Sequence, residues 1–279
     1  MPSLYHYTDI NAVQSILKAR ILRLTDTRFL NDSTEFTKGI QELRKALASR
    51  QEAPPLLDLV SNKDLLNTAI SYIDTFLNKA NTQEFQNNRP TFVTSFSRAF
   101  DSLSQWRAYG LYSIEFDRDL LEKTLELHCQ LEKCKYDEFD LLNFSPESIE
   151  EAIAEVLSHL ENDVEELELS IYITELDLLY RAASIKDKAF RVEEEERLII
   201  CVGGKDAQIK FRIRDNMLVP YFETSKFPPE CIKSITVGPM QDQDLAIKSL
   251  ELFTFKLSKT KEYKGHKIKV NSSSTPYRG

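Results

Sequence analysis

The chain has 279 residues, of which 42% are hydrophobic and 10% aromatic, a composition typical of a globular protein and incompatible with extensive disorder. Its net charge of −8 argues against a general nucleic-acid coat, because binding to phosphate backbones is driven by basic residues. Only seven glycines are present and no GxGxxG or GxxxxGK[ST] motif occurs, which excludes the common glycine-rich nucleotide-binding loops.

The first half of the chain predicts short strands separated by helices. Asp9 is placed to cap one helix, and Asp32 with Glu35 matches a capping box that opens a second helix reaching about Ser49. Another helix is predicted over 56–86. Alternation and β-branched or aromatic content predict strands at 3–8, 21–26, 91–97, 111–117 and 131–137, with a short helix or turn at 102–110.

A long helical block follows, and strands come after it. Ser145 suits an N-cap and Pro146 the first helical position, so one or two long helices are predicted over 145–184. The segment GGKD (203–206) is predicted to be the turn of a hairpin. Strands are predicted at 189–202, 207–213, 217–223, 232–237 and 266–270, with a helix over 242–257.

The grouping of these elements indicates the fold class. Strands come in neighbouring groups between helical blocks, which favours an α+β fold with mixed, largely antiparallel sheets and flanking helices. No internal repeat or low-complexity linker is present. We therefore expect a single domain over 1–279, with 145–184 as a helical insertion within it.

The chain start and the cysteines indicate the compartment. MPSLYHYTDI lacks the charged start and apolar stretch of an export signal, and the longest apolar runs are too short to cross a bilayer. The four cysteines form no CxxC pair and have no partners at zinc-site spacing, so no metal site is predicted. A cytoplasmic protein with reduced thiols and no membrane partner is expected.

The first candidate for ligand binding is His6–Tyr7–Thr8. On a strand, His6 and Thr8 would face one way and Tyr7 the other. An imidazole and a hydroxyl on one face can hydrogen-bond the diol of a ligand, and a tyrosine offers a flat surface for stacking. A capped strand end with a half-buried histidine is the structural alternative.

A second candidate lies in the segment TSFSRAFDSLSQWRAYG. Ser95 and Ser97 would share one face of a strand. Trp106, the only tryptophan, is expected in the core. Arg107 beside it is a candidate ligand contact because the guanidinium fork suits phosphate, and Tyr109 follows two positions later.

The run of four glutamates at 193–196 is the third candidate. In a strand, Glu193 and Glu195 would share a face with Arg197, and the other two glutamates would point oppositely. One pair would face solvent, and the other would enter a polar cleft where Arg197 pairs with one carboxylate and leaves the second for a ligand. Such a carboxylate could stabilise an oxocarbenium ion. A solvated strand edge is the alternative, and the sequence leaves open which pair faces inward.

Several motifs in order resemble one bacterial family, the domain of unknown function numbered 2971. LYHYT and ILKARILRLTDTRFLNDSTEF are similar to its opening, and SFSRAFDSLSQWRAYG with YSIEFD to its central part. KAFRVEEEERLII matches its Phe-x-x-Glu-x-Glu-x-Arg signature at Phe190, Glu193, Glu195 and Arg197. LVPYF, ITVGP and STPYR resemble its closing elements. The resemblance extends over nearly the whole chain.

The arrangement has a looser similarity to ADP-ribosyltransferases, which implies NAD as the substrate. By that resemblance His6 would hold a ribose hydroxyl, and Tyr7 or Tyr109 would stack on a ring. The nicotinamide pocket would be lined by Ser95 or Ser97. The nicotinamide-ribose hydroxyl would be bound by the catalytic carboxylate, Glu195 or else Glu193.

Three hypotheses follow. The first is an NAD-dependent ADP-ribosyltransferase-like enzyme, a toxin or phage-defence effector with a protein or nucleic-acid acceptor. The second is a non-catalytic nucleotide-sensing or protein-binding module of the same fold. The third is a nuclease that binds a metal through Glu193, Glu195 and Asp32. Convergence of His6, Ser95 and Glu195 on one pocket is the geometry that the first hypothesis requires.

Overall fold

The computed structural model describes residues 2–32, 34–52, 63–125, 129–136, 138–162 and 167–276. Its helices are α1 (Ile10–Ala19), α2 (Glu35–Glu52), α3 (Lys63–Ala80), α4 (Gln83–Asn88), α5 (Leu103–Tyr109), α6 (Arg118–Thr124), α7 (Glu138–Asn162), α8 (Leu167–Ala183) and α9 (Gln243–Ser258). Its strands are β1 (Ser3–Thr8), β2 (Arg23–Asp26), β3 (Thr91–Ser97), β4 (Tyr112–Asp117), β5 (Cys129–Lys133), β6 (Glu195–Cys201), β7 (Lys210–Arg214), β8 (Met217–Glu223), β9 (Ile232–Val237) and β10 (Lys269–Ser272). No helix in the described ranges is both long enough and apolar enough to cross a membrane.

The ten strands form one mixed, largely antiparallel sheet with flanking helices, so the predicted α+β fold class is confirmed. The strand order is β10-β9-β4-β1-β3-β2-β8-β7, and β6 pairs with both β3 and β5 beside this path. β9 and β10 are parallel, whereas the other pairs are antiparallel.

Strand β3 pairs along both of its edges, and one edge is incompletely covered. β6 pairs with β3 over its whole length, up to Ser97 opposite Glu195. On the other edge, β2 pairs with Phe92 and Val93, and β1 pairs only with Ser97. No strand of the described residues pairs with this edge over 94–96. β1 and β2 therefore diverge here and leave an opening in the sheet.

Different helices cover the two faces of the sheet. Side chains alternate along a strand, so Leu198 and Ile200 of β6 face one way, into a core completed by α1 and α9. Ile199 and Cys201 face the other way, into a second core formed with α2, α3, α7 and α8. By the same alternation, the charged residues Glu195 and Arg197 project on the side of this helical layer.

The helical block begins earlier than predicted. α7 starts at Glu138, so Ser145 is not its N-cap and Pro146 lies inside it. Proline inside a helix removes one backbone hydrogen bond. The ring of Phe144, two residues earlier, lies under the ammonium group of Lys135 and near the guanidinium of Arg181, and this packing favours helix before Pro146.

Parts of two helix predictions fall outside the described residues, namely 56–62 of the helix over 56–86 and 163–166 of the insertion over 145–184. The described remainder of 56–86 forms α3 and most of α4. α7 packs on α2 and α3 and α8 packs on α2, so the predicted insertion contributes half of the helical layer.

Two predictions for residues 189–223 are wrong. Residues 188–193 form a 3-10 helix capped by the Asp187 carboxylate, and Glu194 is left-handed with φ 43°, so the strand begins only at Glu195. GGKD is not a hairpin turn, because β6 pairs with β3 and β5. The hairpin joins β7 to β8 through Asp215 and Asn216, whose φ values are 48° and 63°, as a two-residue turn with two left-handed positions requires.

Candidate functional site

A cavity of about 370 Å³ lies at the opening beside β3, on the side of the helical layer. This volume is in the range of small-molecule sites. The cavity brings together eight of the ten residues selected from the sequence: His6, Tyr7, Ser95, Ser97, Tyr109, Glu193, Glu195 and Arg197. His6, Ser95 and Glu195, the three residues that the enzyme hypothesis places at one pocket, are all among the residues that line this cavity.

Thr8 and Arg107 do not line the cavity, contrary to their predicted binding roles. Thr8 is the last residue of β1 and pairs with Tyr112 of β4, beyond the cavity. Arg107 is exposed on α5. The cavity face of α5 is made by positions 105, 108 and 109, which share one side of a helix that position 107 does not.

A buried network of charged side chains forms the floor of the cavity. Glu195 accepts hydrogen bonds on Oε1 from Ser95 Oγ at 2.5 Å and from Arg197 Nε at 2.6 Å, and its Oε2 contacts Lys186. Arg197 also donates through Nη2 to Glu35 Oε2 at 2.5 Å. Each buried cation is thus shared between carboxylates, which offsets the cost of removing these charges from water.

Two members of this network, Glu35 and Lys186, were missed by the sequence analysis. The predicted capping box is only half present: Asp32 accepts from the Thr34 backbone N–H at 2.9 Å, but the Glu35 side chain bonds to Arg197 instead of the helix backbone. Lys186 follows α8 in a short connection, where no local pattern indicates a buried lysine.

The ion pairs fix the charges of the network. Burial acts to raise the pKa of Glu195, but the charges of Arg197 and Lys186 outweigh it and lower that pKa to about 2. Burial acts to lower the pKa of Lys186, and the charge of Glu195 outweighs it, so the Lys186 pKa is raised. Both groups are therefore charged over the ordinary pH range.

Glu193 is the more accessible carboxylate. Its side chain is 11% exposed, compared with 3% for Glu195. Lys186 donates to Glu193 Oε2 at 2.7 Å, and the Tyr109 hydroxyl lies 3.1 and 3.2 Å from the two oxygens. Burial raises the pKa of Tyr109, and the negative charges of Glu193 and Glu195 add to this effect although the positive charge of Lys186 opposes it. The Tyr109 hydroxyl therefore keeps its proton and remains a donor to Glu193.

His6 lies where β1 and β3 separate. Its Nδ1 is 2.9 Å from the Ser95 carbonyl oxygen, which can only accept, so Nδ1 carries the proton and Nε2 is left as an acceptor. Burial lowers the pKa of His6, which favours the neutral ring. Its ring also packs edge-on against Phe96.

Tyr7 has a structural role in the cavity wall. Its hydroxyl donates to the Ala99 carbonyl at 2.7 Å and accepts from the Ser102 N–H at 3.1 Å. Its ring lies 4.6 Å from that of Trp106, which is buried as predicted. The hydroxyl and the ring of Tyr7 are therefore both engaged by protein groups, and Tyr109 is the better placed of the two tyrosines for stacking on a ligand.

The four glutamates do not divide into a solvent pair and a cleft pair, as the strand pattern predicted. Glu194 is exposed, but Glu196 is completely buried on the opposite face from the cavity, where Arg118 Nε donates to its Oε1 at 2.5 Å. Glu193 precedes the strand and still reaches the cavity. The 3-10 helix and the left-handed residue before β6 cause this departure from simple alternation.

No group of three or more His, Cys, Asp or Glu in the described part of the chain is arranged to hold a metal ion. In the cavity floor, the cations Lys186 and Arg197 lie between the carboxylates of Glu35, Glu193 and Glu195. The described geometry thus offers nothing in favour of the metal-dependent nuclease hypothesis.

Comparison of the chain with models of known protein families, with curated proteins and with solved structures finds no match. The family resemblance stated from the motifs therefore stays a prediction.

Proposed function

We propose that this chain is an ADP-ribosyltransferase-like enzyme that cleaves the nicotinamide–ribose bond of NAD through an oxocarbenium-like transition state. The observation that carries the proposal is the meeting of His6, Ser95, Glu193 and Glu195 at one cavity, although they come from both halves of the chain. The cavity combines a carboxylate with slight solvent access, a neutral imidazole and a phenol, which are the groups that a cationic sugar and its hydroxyls need.

In the proposed reaction, the bond between ribose C1′ and the nicotinamide nitrogen breaks. Its electron pair goes to that nitrogen, which leaves as neutral nicotinamide, and the positive charge passes to the sugar. A nucleophile of a protein or nucleic-acid acceptor, or water, then bonds to C1′ and releases its proton. The negative charge of Glu193, in a cavity of low dielectric constant, stabilises the sugar cation more than it would in water.

Glu193 and Glu195 take different parts in this proposal. Glu195 is held by Ser95, Arg197 and Lys186 and acts as a positioning residue. Glu193 is held by only Lys186 and Tyr109 among the described residues and faces the ligand. His6 Nε2, which has no hydrogen bond to the described residues, is an acceptor suited to a ribose hydroxyl.

Release of nicotinamide from NAD, with and without protein and nucleic-acid acceptors, tests the proposal. We expect Glu193→Gln to reduce the rate about 10²-fold, the usual loss when one electrostatic stabiliser of a transition state is removed. Glu194→Gln is the matched control, because Glu194 is the neighbouring glutamate but is exposed, and it is expected to keep the wild-type rate. Absence of nicotinamide release with every acceptor, together with absence of NAD binding by calorimetry, contradicts the proposal.

One observation favours a second candidate, a non-catalytic nucleotide-sensing module. Both oxygens of Glu195 already have protein partners, so its carboxylate is held rigidly and has no oxygen left unpaired for a ligand. A sensing module would bind NAD with an affinity that changes in Glu193→Gln, without releasing nicotinamide. The same two measurements, binding and release, therefore separate the two candidates.

A further inference from the structure

Strand β7 carries a row of basic residues, of which Arg214 lines the cavity. Lys210, Arg212 and Arg214 alternate along it and share one face. Lys210 lies opposite Tyr221 of β8, which in turn lies opposite Thr25 of β2, so this is the face that carries Thr25. Thr25 and Arg214 both line the cavity.

The two arginines of this row have no carboxylate partner among the described residues. Arg212 Nη2 donates to Thr25 Oγ1 at 3.0 Å, and Arg214 Nη2 donates to the Phe29 carbonyl at 2.6 Å. Lys210 differs, because it pairs with Glu223 at 2.5 Å. The guanidinium groups are thus held in place by neutral acceptors, and their charges are not compensated.

The missing counter-charge affects the half-buried guanidinium group of Arg212. Its Nε is buried and has no hydrogen-bond partner in the described structure. Burial, followed by the charges of Arg214 and Arg23, lowers the pKa of Arg212. Half-buried arginines are normally paired, so two adjacent guanidinium groups without a counter-charge indicate a place for an anion.

We propose that Arg212 and Arg214 form a binding site for the diphosphate of a nucleotide whose sugar lies in the cavity. This inference deepens the proposed function and rests on it for the identity of the sugar-bearing ligand. The planar fork of arginine donates two parallel hydrogen bonds to a phosphate, which suits it to this task. Arg107, the phosphate ligand expected from the sequence, is exposed on α5 and takes no part.

The charge distribution of the cavity supports this arrangement. The carboxylates Glu35, Glu193 and Glu195, with the cations Lys186 and Arg197 among them, lie beside β3 and β6. Arg214 lines the cavity from β7, beyond β2 and β8 in the same sheet, and Arg212 lies two positions before it on the same face of that strand. A ligand with a developing cation at one end and phosphates at the other matches both ends. An uncharged sugar or a simple cation would match only one.

Calorimetry with ADP, inorganic pyrophosphate and adenosine tests the site on the full chain. We expect ADP to bind more tightly than pyrophosphate, and adenosine to bind at least about tenfold more weakly than ADP, since it lacks the charge-assisted hydrogen bonds. The double variant R212Q/R214Q should weaken ADP binding by at least about tenfold. R212Q/R214K should bind ADP more tightly than R212Q/R214Q, because lysine keeps the positive charge at position 214 and loses only the planar fork.

Lys210→Gln is the matched control, because it removes a positive charge from the same strand and face but one that is already paired with Glu223. It is expected to bind ADP within about twofold of wild type. Unchanged melting temperatures would show that all variants are folded. Wild-type ADP affinity in R212Q/R214Q, an equal loss in Lys210→Gln, or no ADP binding by the wild type overturns the site. Pyrophosphate binding as tight as that of ADP overturns its assignment to a nucleotide.

The test separates this inference from the proposed function. If R212Q/R214Q loses ADP binding while the wild type releases no nicotinamide from NAD, the diphosphate site stands and the enzymatic proposal fails. If nicotinamide is released with the same KM for NAD by R212Q/R214Q and wild type, the diphosphate site fails and the enzymatic proposal stands.

Discussion

Replacing Glu195 with Gln removes the carboxylate that contacts both buried cations of the cavity floor, Arg197 and Lys186. The pKa of Glu195 is lowered from an ordinary 4.5 to about 2. By linkage, such a shift corresponds to about 3 kcal/mol of folding stability at pH 7. Removing one partner of a buried ion pair costs a similar ~3–5 kcal/mol in other proteins. We therefore expect Glu195→Gln to lower the free energy of unfolding at pH 7 by about 3 kcal/mol.

The lowered pKa of Glu195 determines how the stability difference between wild type and Glu195→Gln changes with pH. A carboxyl group with a lowered folded pKa stabilises the protein above its unfolded pKa, and this contribution is lost as pH falls through 4.5 towards 2. The difference between wild type and Glu195→Gln should therefore be constant from pH 7 to about 6 and shrink by more than half by about pH 3. Urea unfolding followed by the fluorescence of Trp106, the only tryptophan, measures this difference at each pH.

Glu194→Gln serves as the control for the same experiment, because the exposed Glu194 has no ion pair among the described residues and should show no difference from wild type at any pH. A difference between wild type and Glu195→Gln that stays constant from pH 7 to 3, or grows in acid, would refute the reasoning. Such a result would mean that Glu195 is not held as an anion by Arg197 and Lys186.

Three further predictions concern packing, the buried pair on the opposite face, and the site. Gly39→Ala should lower the free energy of unfolding by about 1–3 kcal/mol, because its Cβ would lie 2.0 Å from a carbonyl oxygen of the facing helix, whereas Gly203→Ala, with nothing within 4 Å, should be neutral in thermal melting. Arg118→Met should cost about 3 kcal/mol in urea unfolding by leaving the buried Glu196 without its counter-charge, and adding Glu196→Met should recover most of that loss. Tyr109→Phe should slow nicotinamide release about tenfold at an unchanged melting temperature, since it removes only the hydroxyl that holds the ligand-facing carboxylate.

Local signals allowed much of the fold to be predicted. β1 and β3 lie where alternation and β-branched content placed them, and Asp9 caps α1 through a 2.8 Å bond to the Ala12 N–H. These features depend on residues within one strand or one helical turn, so a single sequence contains the necessary information. Pro146 shows the limit of such signals, because distant aromatic packing outweighs a good helix start.

The candidate site was only partly predictable, because its decisive contacts join distant positions. Ser95 and Glu195 were found through ordered motifs, and their hydrogen bond follows from the pairing of β3 with β6. Glu35 and Lys186 reach the same cavity from a helix start and a short connection, and nothing near them in sequence indicates burial. Arg212 bonds to Thr25, and its lack of a carboxylate partner among the described residues depends on contacts between distant strands that its own sequence neighbours do not indicate.

The position of bound NAD in a crystal structure of Glu193→Gln tests the central claim most directly, because this variant should bind the dinucleotide and leave it intact. The account predicts the nicotinamide ribose against residue 193 and the His6 ring, with the diphosphate at Arg214. A dinucleotide bound outside the cavity, or one with its nicotinamide ribose at the β7 end and its phosphates against the carboxylates, would contradict it.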